Sequence, residues 1–327
     1  MNTTQIQNMG VNWVGTLLLA LFATSLALGP TTAQALERLQ PRYASGQVDI
    51  NNPDRVDVAL VLAVDVSSSI ETDERRFQRE AYAQALSDPR VANLALGGGA
   101  GRVAIAYMEW SGRHFQRVHL PMRVMSTPEE LAQFAIEILA IPDREADPMY
   151  IQPTAIGNAL IAAEAIMASL PVPARDYVID ISGDGVVNDG TAVSAVRANL
   201  IELGLTVNGL PIEVSLEAPV FESLGPERVS QYYADCVIGG PGSFHVVARG
   251  FGDVRETLIM KLMLEMANLP PSEKQRLATA YNAIPQTLRV IPATALQIAP
   301  KSKKQKRPKT DCADDDVDAR SPFQIIP

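Results

Sequence analysis

The sequence predicts an α/β protein built on a doubly wound, mostly parallel sheet with helices on both faces. Three observations carry that reading. Val58 to Val64 is an unbroken apolar run ending at Asp65, the pattern of a parallel strand covered on both sides. Strand-like runs then alternate with segments of helical period along the chain. The composition, 47% hydrophobic and 20% charged over 327 residues, is that of an ordinary folded chain. It excludes wholesale disorder, collagen-like repeats and a disulfide-dense miniprotein.

The elements follow in order. Thr72 is expected to cap a helix whose first turn holds Asp73 and Glu74, where negative charge suits the helix dipole. Phe77, Ala81 and Ala85 give that helix an apolar face, and Pro89 is expected to end it. Residues 102–110 read as a strand, and 115–120 as a short edge strand stopped by Pro121. Helices are expected over 129–140 and 154–170, the second with Ile156, Leu160, Ala163 and Met167 along one face. A strand over 177–182, a helix over 192–203 and a strand over 212–216 continue the alternation. The last strand is expected at 243–248 and the last strongly periodic helix at 254–269, closed by Pro270-Pro271, with a short helix over 273–283. Ligands bind such sheets beyond the carboxyl ends of the strands. Chemistry is therefore expected just after Val64, Trp110, Ser182 and Ala248.

The two ends differ from the body. Val14 to Leu28 is a 15-residue apolar run followed by Ala33-Gln34-Ala35, the pattern of an export signal with a small-residue cleavage site. Nothing before Arg38 is basic, and Val11 to Leu28 approaches spanning length, so an uncleaved N-terminal anchor is the competing reading. Either places the domain outside the cytoplasm: periplasmic, secreted or anchored at the cell envelope. The boundaries are then 1–35 for the signal or anchor, 36–56 for a linker, 57–269 for the domain, 270–300 for an extension and 301–327 for a disordered charged tail. The net charge of −9 divides into +2 over 301–327 and −11 over the rest. So acidic a body excludes nucleic acid as the main partner, and leaves the anchor as the one route to a membrane. Cys236 and Cys312 are the sole cysteines; with one in the tail, two unpaired thiols are expected.

Asp65-Val66-Ser67-Ser68-Ser69 follows the first strand, and Gly183-Asp184-Gly185-Val186-Val187-Asn188-Asp189 follows the 177–182 strand. Between them Thr154 opens a helix after Pro153. Two carboxylates and three hydroxyls would thus converge on one sheet edge. A hard divalent cation takes an all-oxygen shell, and alternate residues of D-x-S-x-S in a tight loop can turn their oxygens to one point. The other use of Ser67 and Ser69 is to cap the helix that follows.

Asp65, Ser67, Ser69, Thr154 and Asp184 resemble the metal-ion-dependent adhesion site (MIDAS) of von Willebrand factor type A (VWA) domains, and the resemblance runs from Asp57 to Leu269. Glu109-Trp110-Ser111, Asp180 to Gly185 and Val237 to Gly242 are similar to an exported bacterial branch of that family, of unassigned function. The resemblance implies that Ser67, Ser69 and Thr154 bind Mg²⁺ directly, or Mn²⁺ or Ca²⁺ in its place. Asp65 and Asp184 would bind it directly or through water. A partner protein supplying a carboxylate would complete the shell, making the chain a binding module and not an enzyme. One departure is Gly183, where the family often carries Thr or a similar residue.

The rival reading is a phosphotransferase. Gly183 to Asp189 also resembles the acidic motif of haloacid dehalogenase-like enzymes, with Asp65 as nucleophile and Asp184 and Asp189 holding magnesium. That chemistry needs a cation between the motifs to neutralise phosphoryl charge. Every lysine lies at Lys261 or later, and Arg175 starts the strand that ends near Asp184, so it points away. Ser67 stands where the nucleophile loop needs a second aspartate.

Other classes find less. Gly183-x-Gly185 lacks the third glycine of a dinucleotide site, and the glycines at 97–101 precede a strand and lack a following Gly-Lys-Ser/Thr. His114, His119 and His245 form no zinc signature, and His245 is expected to pack in the core. Asp314 to Asp318 lacks the glycine and distal Glu of a calcium loop. Glu109 and Trp110 end a strand, where they either shape a partner surface or pack beneath a loop. Asp180, mid-strand, is expected to be a buried structural acceptor. Met149, Tyr150 and Ile151 precede Thr154 and could line the ligand face.

Overall fold

The first strand, β1 (Val56–Asp65), is buried at every position. Its apolar residues alternate between two cores, so it needs cover on both sides. The computed structural model describes residues 42–43, 49, 51–143, 152–213, 228–289 and 312. The chain divides into two units, 1–40 and 41–327, and the described residues belong to the second. The expected export segment, the loop at 149–151 and all of the tail except Cys312 lie outside the described residues. Among those described, no helix is long and apolar enough to cross a membrane.

Helix α1 (Thr72–Leu86) follows β1. Glu71 is its N-cap, not Thr72: the Glu74 carboxylate accepts from the Glu71 N–H at 2.8 Å, while the Thr72 hydroxyl accepts from Arg75. Phe77, expected on the apolar face, is 38% exposed; Tyr82 and Leu86 join Ala81 and Ala85 in the core instead. Pro89 ends nothing. It opens α2 (Pro89–Leu96), where its missing N–H is harmless and Asp88 caps the turn through the Arg90 N–H.

β2 (Val103–Trp110) lies parallel to β1, and β3 (Gln116–Met125) pairs antiparallel with β2. Pro121 does not stop β3. A Pro is tolerated on an edge strand beside a bulge, and the register slips opposite Tyr107. Next come α3 (Pro128–Leu139), α4 (Ile156–Met167), β4 (Ala174–Gly183) and α5 (Val193–Glu202). β5 (Thr206–Glu213) begins six residues before the expected 212. Its breakers have particular tasks: the Asn208 side chain donates to Glu265 and accepts the Phe244 N–H, and Pro211 pairs at the strand's end opposite Gly183.

A five-residue helix, α6 (Arg228–Tyr232), runs into a π-helical turn at Tyr233–Val237. The expected strand over 243–248 is mostly irregular, touching β5 through a bridge at His245 before β6 (Ala248–Arg249). α7 (Val254–Met266) and α8 (Pro271–Asn282) complete the described elements. The sheet order is β3-β2-β1-β4-β5-β6, the doubly wound order of an open α/β sheet. Leu60, Leu62 and Val64 face α1, α2, α3, α7 and α8; Ala59, Val61 and Ala63 face α4, α5 and the π-helical turn.

Two features were hidden from the sequence. Asp180 is indeed buried on β4, but as one member of a triad. Lys261 Nζ lies 2.5 Å from Asp180 Oδ1 and 2.5 Å from Glu265 Oε1, with all three side chains at 0% exposure. The Asp180 contact has the distance of an ion pair without hydrogen-bond alignment. Burial first, and then the Glu265 charge, push the Asp180 carboxyl up to about 7 against the pull of Lys261.

The second concerns the cysteines, which are not free. Cys236 and Cys312 form a disulfide, their Cα atoms 5.6 Å apart. Cys236 is fully buried and Cys312 packs against the same core. Residue 312 therefore returns to the body, and the assumption that it lies in a free tail fails. Closing a separation of 76 residues restrains the unfolded chain by about 4 kcal/mol in the loop-entropy picture. Cys312→Ser is expected to lower the melting temperature by several degrees or more in thermal unfolding. Adding a thiol reductant should reproduce the loss in the wild type and leave the variant unchanged.

Candidate metal centre

The strand order reverses between β1 and β4, which opens a crevice at their carboxyl ends. Asp65 is the last residue of β1, opposite Trp110, while Val64 lies opposite Ser182 of β4. Asp65 is fully buried. Its Oδ1 accepts the Ser67 N–H at 2.7 Å, and its Oδ2 has no partner. Ser67 Oγ lies 3.1 Å from Ser69 Oγ, and Ser69 Oγ donates to Asp184 Oδ1 at 2.7 Å. A continuous run of oxygens thus crosses from one strand end to the other. Ser69 is exposed, so the cluster meets solvent there.

Burial first, and the neighbouring Asp184 charge second, push the Asp65 carboxyl well up, against the hydrogen bonds from Ser67. Burial likewise raises Asp184, opposed by the Ser69 hydroxyl. Two carboxylates held close in a dry crevice disfavour both being charged. A bound cation reverses that preference.

Thr154 is buried beside this cluster, but it does not open a helix: α4 begins two residues later, with Ala155 as its N-cap. Asn188 holds it, accepting the Thr154 N–H at 2.7 Å on its side chain and donating its own N–H to the Thr154 carbonyl at 3.1 Å. Ser68 secures the approach in the same way, since its N–H donates to the Gln152 carbonyl and its Oγ accepts the Gln152 N–H. Ser68 and Asn188 thus hold Gln152 and Thr154 in place from the loops after β1 and β4, through contacts that no motif spacing marks. The Thr154 hydroxyl lies 3.5 Å from where a Cβ on Gly185 would stand. A Cβ on Gly183 would lie 2.8 Å from Asp65 Oδ2 and 2.7 Å from the Tyr233 hydroxyl. A Thr at 183 would require the Asp65 carboxylate and the Tyr233 hydroxyl to shift.

Glu109 and Trp110 do not form a partner surface, being 4% and 0% exposed. Glu109 binds Arg79 through both oxygens and accepts from His119. Burial alone would raise its carboxyl, but the hydrogen bonds and charges of His119 and Arg79 draw it down to about 2. His245 packs partly buried, and burial pushes its imidazole down to about 4, so it is neutral near pH 7. Among the described residues no group of three or more His, Cys, Asp or Glu could hold a metal. The candidate set therefore rests on two carboxylates supported by hydroxyls.

The phosphotransferase reading finds no support in the geometry. Asp189, its second metal ligand, is tied to Arg113 through the backbone N–H at 2.8 Å and the guanidinium at 2.6 Å. Those bonds hold its carboxyl below the usual range despite burial. Lys261 is enclosed with Asp180 and Glu265, and Arg175 pairs with Asp57 and Asp176 at the start of β4.

Residues 55–270 match a family described as "Protein of unknown function (DUF1194)". No curated protein matches the chain. The solved structures similar in outline include three from different sources. One is proximal thread matrix protein 1 from the mussel byssus with a zinc-occupied MIDAS motif, at 18% identity and TM-score 0.44 over 64% of this chain and 48% of that one. Another is a von Willebrand factor type A protein from Catenulispora acidiphila, at 18% identity and TM-score 0.43 over 64% and 43%. The third is the open conformation of the pilus adhesin SpaC from Lactobacillus rhamnosus GG, at 12% identity and TM-score 0.47 over 68% and 31%. The matched region spans less than half of each of those proteins. Likeness of this degree assigns them no role here.

Proposed function

The chain belongs to the DUF1194 family, and from that premise we propose that it is an exported binding module that uses a divalent cation to engage a carboxylate on a partner protein. Asp65, Ser67, Ser69, Thr154 and Asp184 would hold the ion. One observation carries the proposal. Asp65 is completely buried, and the Ser67 and Ser69 hydroxyls link its crevice to a second carboxylate, Asp184, whose charge bears on it. A buried carboxylate so placed is costly. It is explained if the crevice is completed by a cation.

The donor set is entirely oxygen, which favours Mg²⁺, Mn²⁺ or Ca²⁺ over softer metals. An octahedral ion held by five side chains would offer one further position to an incoming oxygen. The two carboxylates would balance its charge. The three hydroxyls add none, so what the centre offers an incoming carboxylate oxygen is the open coordination position. Exposed Ser69 and half-buried Asp184 mark the open side. The export segment at 1–35 would bring the domain to the cell envelope, and 57–269 would be the working unit.

The test is retention of envelope proteins on the immobilised chain. A partner retained in Mg²⁺, released by EDTA and lost with Asp184→Ala is the expected result. Equal retention with and without EDTA would end the bridging reading.

A further inference from the structure

Tyr233 opens the π-helical turn and is 0% exposed, yet its hydroxyl has no hydrogen-bond partner. Oδ2 of Asp65, also unpartnered, lies beside Gly183 as well. The hydroxyl and that oxygen stand 2.7 Å and 2.8 Å from the point a Gly183 Cβ would occupy, so they are at most 5.5 Å apart. A single water spans the longest such gap. The ring sits in a built slot. Gly183 on β4 makes room for the hydroxyl, and Gly209 on β5 makes room for the ring edge, its missing Cβ being 2.7 Å from Tyr233 Cδ1. A side chain at either glycine would force the tyrosine or its neighbours to shift.

We infer that Tyr233 is a positioning residue of the metal centre, its hydroxyl donating across one water to the Asp65 oxygen turned away from Ser67. The inference rests on the metal reading above. Ser67 fixes one carboxylate oxygen of Asp65, and the Tyr233 hydroxyl fixes the plane by holding the other. Groups that orient a ligand in this way commonly set metal affinity as strongly as some ligands do. A phenol is protonated at neutral pH, so the hydroxyl is available as a donor. The departure at 183 thus has a physical reading: Tyr233 places its hydroxyl, from the neighbouring helical turn, in the space a side chain at 183 would claim. The turn itself is clamped by the disulfide at Cys236.

Tyr233→Phe removes the oxygen and keeps the ring. In Mg²⁺ calorimetry on the full chain it is expected to weaken binding about tenfold. Unchanged affinity would overturn the inference. If the wild-type chain takes up no Mg²⁺, the metal reading fails and the contact is decided on the metal-free protein. There, the melting shifts of Tyr233→Phe and Asp65→Asn should fail to add by more than about 2 °C if the two groups are so joined. Additive shifts would overturn the contact itself.

Discussion

Asp65→Asn is expected to abolish Mg²⁺ uptake while raising the melting temperature of the metal-free protein at neutral pH. The two effects share a cause. Burial and the Asp184 charge raise the Asp65 pKa in the folded state, so folding favours the protonated acid. That stability is fully present below the usual carboxylate range and is lost as pH rises through the raised value. Near pH 7 the metal-free chain thus has a carboxyl poorly suited to its surroundings. Asparagine keeps the acceptor for the Ser67 N–H, carries no charge, and presents an amide toward the Tyr233 oxygen. A gain of about 1–2 kcal/mol, or roughly 2–6 °C, is expected. It should shrink toward pH 4, where the wild-type acid is protonated. Mg²⁺ affinity of the wild type should climb with pH over the same range, because uptake displaces protons. Calorimetry and thermal melts across pH 4–8 decide the matter. A variant that binds Mg²⁺ as well as wild type, or melts below it at pH 7, would refute the assignment of Asp65.

Lys261→Met is expected to produce the largest loss of stability. It removes the one cation from between Asp180 and Glu265, all three at 0% side-chain exposure. Leaving buried carboxylates unpaired costs about 3–5 kcal/mol, which corresponds to a fall of roughly 10 °C or more in melting temperature. Adding Asp180→Asn and Glu265→Gln should recover most of it, since the amides need no counter-charge. A fall below about 2 °C in the single variant would show that the triad is not held as described. The triad faces the α7 side of β4, so variants that still fold should bind Mg²⁺ as wild type does.

How much of this could be read in advance differs by element, for physical reasons. β1 was plain because a strand covered on both faces must be apolar throughout, and Asp65 was plain because a charge at its end has no packing role. The loops after β1 and β4 were legible as oxygen clusters for the same reason. β5 was obscured by Asn208, Gly209 and Pro211, whose tasks lie in contacts made by α7, the π-helical turn and the end of β4. Local propensity carries no trace of those partners. Tyr233 reaches the candidate centre from a helical turn that no motif spacing connects to Asp65. Lys261 looked decisive by its absence from the stretch between Asp65 and Asp184. That absence still counts against a phosphotransferase, and Lys261 itself lies in the core between Asp180 and Glu265. The cysteines could not be paired from two positions in a string, because connectivity depends on where the chain returns.

The Cys236–Cys312 bond also makes the chain from 236 to 312 a closed ring. Hydrolysis of one peptide bond inside a ring leaves a single covalent molecule, heavier by one water and otherwise undivided. A preparation cut by a protease between those residues would run as intact on a non-reducing gel and fall into two bands once a thiol is added. Intactness of this protein therefore has to be judged on reduced samples.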